Sequence, residues 1–164
     1  MRLIRADSQI TMPSGASIMT HFNGVPYNFD LIKKLKIKYF EKNFFKFATV
    51  AGGKIDQQTL DFFICYFKKF KKRFIIMYGQ TEASPRISYV PWKKSSDNKC
   101  IGISIPKGKL YLKNMQSDIS SNNRKIGELI YKGPNVSLGY SNSYKDLENK
   151  NENKYILKTG DLAF

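Results

Sequence analysis

Cysteine is scarce in this chain: Cys65 and Cys100 are the only two among 164 residues. Two thiols so far apart exclude a disulfide framework and a cysteine zinc site. Cys65, set among Phe62, Phe63, Ile64, Tyr66 and Phe67, is expected to be a small core hydrophobe. Histidine is scarcer still, and His21 is the single candidate for a histidine base. Apolar runs such as Phe74-Ile75-Ile76-Met77-Tyr78 are far too short to cross a bilayer. Met1-Arg2-Leu3-Ile4-Arg5-Ala6-Asp7 has basic residues but no apolar stretch behind them, so it is not a secretory signal. The cytosol is the expected compartment, and the sequon Asn135-Val136-Ser137 is then only formal. Gly53-Lys54 lacks the frame of a P-loop, and there is no internal repeat.

Acidic residues are also few, 13 against 28 Lys and Arg, for a net charge of +15. Such a balance admits a nucleic-acid partner. The excess is mostly lysine spread along the whole chain among many Asn and Ile residues, which points to compositional habit instead. The one dense cluster, Lys68-Lys69-Phe70-Lys71-Lys72-Arg73, falls between a helix and a strand. Basic residues in a last helical turn favour its negative dipole end.

What is present is ample apolar material. Hydrophobic residues make up 41% and aromatics 14%, so the chain can bury a core and disorder is not expected. Residues 1–17 are poorly patterned. Ser17-Ile18-Met19-Thr20 reads as a short strand, and Gly24-Val25-Pro26 as a turn into a helix with Phe29, Ile32 and Leu35 on one face. Phe44 to Val50 reads as a buried strand ending in Gly52-Gly53. Asp56 is an N-cap, and Leu60, Phe63, Ile64 and Phe67 mark a helix to Phe70. Phe74 to Met77 is a second buried strand, so strand, helix and strand form a βαβ unit with parallel pairing. Beyond Pro91, Lys109–Leu112, Glu128–Tyr131 and Tyr155–Leu157 read as short strands, with polar turns at Ser117 to Lys125 and Asn149 to Lys154. The fold class is α/β: a partial parallel βαβ sheet followed by a mostly antiparallel β region. The expected division is residues 18–95 for the α/β part and 96–164 for the β part.

Three segments carry chemistry. Tyr78-Gly79-Gln80-Thr81-Glu82 sits at the carboxyl end of a predicted strand, where parallel sheets bind ligands. Gly127-Glu128-Leu129 runs on to Gly139-Tyr140, and Lys158-Thr159-Gly160-Asp161-Leu162 comes last. Each alone is a weak signal. In this order they resemble the adenylate-forming superfamily of acyl-CoA ligases, luciferases and peptide-synthetase adenylation domains, and the resemblance runs from residue 18 to the last residue.

The resemblance implies ATP-dependent activation of a carboxylic acid. The acid's oxygen attacks the α-phosphate and pyrophosphate leaves, with Mg²⁺ where negative charge builds. By resemblance, Tyr78 stacks on the adenine through its ring face, Gly79 and Gln80 complete the nucleotide-binding turn, and Gly52-Gly53 approaches the base from its other side. Lys54, where the family has a small residue, puts that last contact in doubt. Thr81 and Glu82 fall in the catalytic positions, Thr81 as a hydroxyl donor to the α-phosphate and Glu82 as the Mg²⁺ ligand. Asp161 matches the family's ribose-binding Asp. Gly127-Glu128-Leu129 and Gly139-Tyr140 read as structural. Arg86 reads equally as a phosphate or substrate contact and as a surface charge. His21 falls where the family keeps a strand leading to the acyl pocket.

Each role has a plainer alternative: a half-buried strand end for Tyr78, a tight turn for Gly52-Gly53, a solvated turn for Thr81-Glu82, and a turn-forming Asp for Asp161. Amino-acid adenylation domains usually have Pro where this chain has Gln80, and an upstream Asp that Ser17 to Tyr27 lacks. A fatty-acyl or aryl acid ligase with coenzyme A as thiol co-substrate is therefore expected. The sequence shows no Ser/Thr/Gly-rich phosphate loop and no second domain with a catalytic Lys. The expectation is a piece of the enzyme's large domain, inactive alone, whose missing parts lie on neighbouring chains. A non-catalytic remnant and a basic nucleic-acid-binding domain stay open beside it.

Overall fold

The computed structural model describes residues 20–94, 97–118, 124–141, 143, 145 and 153–164. Contacts divide the chain into two compact units. One takes the chain up to Ile76 and again Val90–Cys100, and the other takes Met77–Tyr89 and Ile101–Phe164.

The first unit is built on three parallel strands. β1 is His21–Gly24, β2 is Phe47–Val50, and β3 is Arg73–Tyr78, of which the first four residues belong here. β1 pairs with β2 and β2 with β3, both parallel. Helix α1, Pro26–Lys34, links β1 to β2, and α2, Gln57–Lys69, links β2 to β3. Pro26 stands at the first helical position, where its fixed φ suits the helix and its missing N–H costs nothing. Asp56 caps α2 by accepting from the Thr59 amide at 3.0 Å. The Thr59 hydroxyl in turn donates to Asp30 at 2.8 Å and ties the two helices together.

The helices cover the sheet with aromatic rings. Phe29, Phe40, Phe45, Phe63, Phe67 and Phe74 are all buried in one cluster. Phe29 meets Phe63 and Phe74 edge to face, each with centroids 5.1 Å apart. Such pairs are favourable beyond the area they bury.

Several expectations need correction here. Cys65 is exposed, because α2 buries Thr59, Leu60, Phe63 and Phe67 and position 65 falls on the opposite face. Leu35 is the C-cap of α1 and 47% exposed, not a core residue. β2 begins at Phe47, not at Phe44; Phe45 is buried nonetheless, in the approach to the strand. The first strand is His21–Gly24, and the expected Ser17–Met19 portion lies outside the described residues, as do residues 1–17.

The second unit is antiparallel. The last two residues of β3 pair with β4, Ser88–Tyr89, which pairs with β5, Ile103–Ser104. A separate sheet has the order β6-β7-β8, formed by Lys109–Asp118, Arg124–Lys132 and Ile156–Ala163. These strands are longer than expected, since polar residues such as Asn114 and Asp161 sit inside them. Strand β6 runs through the expected turn at Ser117 and β7 begins at Arg124; residues 119–123 and most of Asn149–Lys154 lie outside the described residues. Ala83, Ile87, Tyr131, Val136 and Leu157 form this unit's core. The fold is thus mixed α/β, with parallel and antiparallel pairing and a second antiparallel sheet.

Candidate functional site

The register of β7 and β8 places Asp161. Ile130 pairs with Lys158 and Glu128 with Leu162, so Thr159, Gly160 and Asp161 all stand opposite Leu129. Extra residues in one strand make a bulge, which re-aims side chains. Gly160 supplies a φ of +74° that other residues adopt only at a cost. The buried Thr159 hydroxyl donates to the Leu129 carbonyl at 2.8 Å and accepts from the Asp161 amide at 3.1 Å. The bulge is therefore hydrogen-bonded internally, and the Asp161 side chain stays exposed.

Two residues from the end of β3 reach that carboxylate. The Tyr78 hydroxyl donates to Asp161. The Gln80 amide nitrogen donates to the Thr159 carbonyl at 2.8 Å and lies 3.4 Å from the same Asp161 oxygen. Burial, followed by the bond to Asp161, pushes the Tyr78 phenol up to about 12. A protonated phenol is thus held as donor to the carboxylate. The sequence reading assigned the work of Tyr78 to its ring face; its hydroxyl is engaged as well.

After Gln80 the chain makes one 3-10 turn, Thr81–Ala83, and Ser84 follows with a left-handed φ of 50°. Gly79 is required by this loop itself. A Cβ there would stand 1.7 Å from the Pro85 carbonyl oxygen. The loop's carbonyls are held by one side chain: the Asn135 amide nitrogen donates to the carbonyls of Ala83 and of Arg86, the latter at 2.8 Å. Asn135 is oriented in turn by the buried Tyr131, whose hydroxyl donates to its oxygen at 2.7 Å. Burial raises the Tyr131 phenol and keeps it protonated for that task.

Glu82 is braced twice. Its carbonyl accepts from the Ser137 amide at 2.8 Å, and its carboxylate accepts from the Tyr140 hydroxyl. That bond, and then a backbone hydrogen bond, holds the Glu82 carboxyl below its usual value. Thr81 is exposed at the start of the turn. Among the described residues no group of three or more His, Cys, Asp or Glu gathers as a metal cage. Glu82 presents a single carboxylate, which fits Mg²⁺, a cation usually held by one or two carboxylates plus substrate oxygens and water.

Tyr78, Gln80 and Asp161 therefore converge, and Thr81 and Glu82 lie on the adjoining turn. Gly52 and Gly53 belong to the first unit, just after β2, where Gly52 has a φ of +77°. His21 opens β1 in that unit, exposed, its ring stacked on Phe47 at 5.2 Å. Asn135 and Tyr140 are the two working contacts that sequence reasoning missed. Asn135 stood out only as a formal sequon and Tyr140 only as part of a structural Gly-Tyr pair.

Comparison with known proteins shows the family and the fold. The family model of the AMP-binding enzymes matches residues 17–141, and the chain belongs to that family. It is 31% identical over 99 residues to the probable 4-coumarate–CoA ligase 1 of Dictyostelium discoideum, covering 59% of this chain and 18% of that protein. Among solved structures it superposes on a long-chain-fatty-acid–CoA ligase from Archaeoglobus fulgidus with a TM-score of 0.61, at 18% identity, covering 88% of this chain and 32% of that one. An o-succinylbenzoate CoA synthetase from Bacillus subtilis, in complex with its acyl-adenylate intermediate, gives 0.62 at 19% identity, covering 88% and 28%. The chain thus spans under a fifth of the length of the curated relative and about a third of these structures. Among the described residues no helix is long and apolar enough to cross a membrane.

Proposed function

We propose that this chain supplies the nucleotide-binding part of an AMP-forming acid–thiol ligase. The reaction activates a fatty or aryl carboxylic acid with ATP to an acyl-adenylate, which then passes its acyl group to the thiol of coenzyme A. The observation that carries the reading is the convergence of Tyr78 and Gln80 on Asp161. An exposed carboxylate on a bonded bulge suits the paired hydroxyls of a ribose. The aromatic ring beside it, at the end of a strand, suits a purine face. Thr81 offers a hydroxyl to the α-phosphate, and Glu82 a hard oxygen to Mg²⁺. Glu82 would hold Mg²⁺ there, and the bound ion would supply positive charge against the charge that builds as pyrophosphate leaves. Gly52 and Gly53 keep their role toward the adenine on the resemblance alone.

The relatives support the class of reaction. A structure of the Bacillus subtilis synthetase holds ATP and magnesium ion, and another holds AMP. Residues 18–95 would carry the adenine and phosphate motif, and residues 96–164 the ribose motif.

Calorimetric titration of the chain with ATP and Mg²⁺, beside its Asp161→Ala variant, tests the reading. The expected loss in the variant is about 1.5–3 kcal/mol, the contribution of a hydrogen bond to a charged group. Absence of ATP binding, or binding indifferent to Asp161, would overturn it.

A further inference from the structure

Tyr140 is 80% exposed, so packing does not hold its ring. What fixes it is polar: its hydroxyl donates to one carboxylate oxygen of Glu82, Oε1. The segment that carries it is anchored independently. Ser137 donates its amide to the Glu82 carbonyl at 2.8 Å, and the Asn153 amide nitrogen donates to the Ser137 carbonyl at 2.8 Å. Asn135, two residues before Ser137, holds the carbonyls that follow Glu82. One segment, residues 135–140, therefore grips both the main chain and the side chain of the turn that presents Glu82.

We infer that Tyr140 is a positioning residue for the cation that Glu82 would hold: its hydroxyl fixes the carboxylate by Oε1, and the carboxylate so held would be the group that takes the metal. This deepens the ligase reading above and rests on it. Mg²⁺ demands near-octahedral geometry and gives up its water reluctantly. A glutamate free to rotate must be ordered when the ion arrives, whereas a carboxylate already held on one oxygen has lost that freedom beforehand. A phenol suits this role, because it donates one hydrogen bond and carries no charge to compete with the cation.

The test uses the chain with Tyr140→Phe, Glu82→Gln and the double variant, each shown to fold by circular dichroism. Calorimetry measures ATP affinity as Mg²⁺ is varied and again with EDTA. Tyr140→Phe should weaken the Mg²⁺-dependent part about 2- to 10-fold, the range of one hydrogen bond. The affinity in EDTA should stay put, and the double variant should lose no more than Glu82→Gln alone. An unchanged Mg²⁺ dependence overturns the inference. So does an equal loss in EDTA, which would mark a merely structural role, or a full further loss in the double variant.

A readout without nucleotide separates this inference from the ligase reading. Nuclear Overhauser contacts between the Tyr140 ring and the Glu82 methylenes should be strong in the parent chain. If they are absent, the pairing does not exist and the inference falls alone. If they are present and ATP does not bind, the ligase reading fails and takes the cation role with it.

Discussion

The Tyr78 hydroxyl donates a hydrogen bond to the Asp161 carboxylate, joining residues 83 positions apart in the sequence. On the proposed reading one tyrosine serves two separable ends, its ring face stacking on the base and its hydroxyl holding the neighbouring acid. Tyr78→Phe should keep the first and lose the second. It should cost about 1 kcal/mol of stability, because a hydrogen bond to a charged group is discounted here by partial solvent exposure. ATP affinity should change by less than that. Tyr78→Ala should lose the stacking too, about 1–3 kcal/mol of ATP binding. Urea denaturation and calorimetry on both variants separate the effects; equal losses of ATP affinity in the two would refute the division.

The same bond sets an alkaline limit. The Tyr78 phenol is raised from 10.0 to about 12, by burial first and the Asp161 bond second. A group raised in the folded state gives stability that is complete below its unfolded value and is lost as pH rises toward the folded one. The stability difference between the parent chain and Tyr78→Phe should therefore be constant below pH 10 and shrink between pH 10 and about 12. Taking the difference removes the effect of Tyr66, which burial and Glu41 also raise. Chemical denaturation at several alkaline pH values checks it, and a difference that grew with pH would contradict the geometry.

Asn135 tests the loop's support. Its amide nitrogen serves the Ala83 and Arg86 carbonyls while its oxygen accepts from Tyr131. Asn135→Ala should destabilise the chain by about 1–3 kcal/mol, the cost of leaving part-buried polar groups unpaired. Asn135→Asp keeps the acceptor for Tyr131 but turns an oxygen toward two carbonyls. It should be at least as harmful as the alanine, although it is the closer isostere. Thermal melts of the two variants decide this. A benign Asn135→Asp would mean that the amide nitrogen does not hold the loop.

Much of the α/β framework was legible because its signals are local. Pro26 and Asp56 mark helix starts, and the spacing of Leu60, Phe63 and Phe67 marks the buried face of α2. The resemblance singled out Tyr78, Glu82 and Asp161, and the structure brings Tyr78 to Asp161; their roles rest on the resemblance and the geometry together. What stayed illegible depends on distant partners. Nothing near Asn135 announces that it serves carbonyls about fifty positions earlier, and an exposed tyrosine at 140 has no pattern to betray a carboxylate at 82. Cys65 was misjudged for a different reason. An unbroken apolar run conceals which face of a helix is inward, and only the neighbouring buried positions resolve it. The bulge at Thr159-Gly160-Asp161 defeats the period-two pattern of a strand, so β8 read as ending at Leu157.

The glycines of the two motifs should fail in opposite ways. At Gly79 a methyl group would meet the Pro85 carbonyl oxygen at 1.7 Å and the Arg86 Cα at 3.1 Å. Both are backbone and neither can swing aside. Gly79→Ala should therefore cost at least about 3 kcal/mol through forced backbone movement. At Gly160 nothing lies within 4 Å of the added carbon, and the only obstacle is the φ of +74°. Gly160→Ala should cost about 1–2 kcal/mol of left-handed strain, and it should shift the bulge that aims Asp161. In a chain of this size each kcal/mol moves the melting temperature by roughly 2–4 °C, so differential scanning fluorimetry can rank the two. The glycine that is milder for stability should be the worse for nucleotide, relative to its loss of folding, since it sits beside the acid and not beneath the loop. If Gly79→Ala melts with the parent chain, the close approach of Pro85 is absent in solution. If Gly160→Ala retains full ATP affinity, the bulge does not aim Asp161 at the ribose.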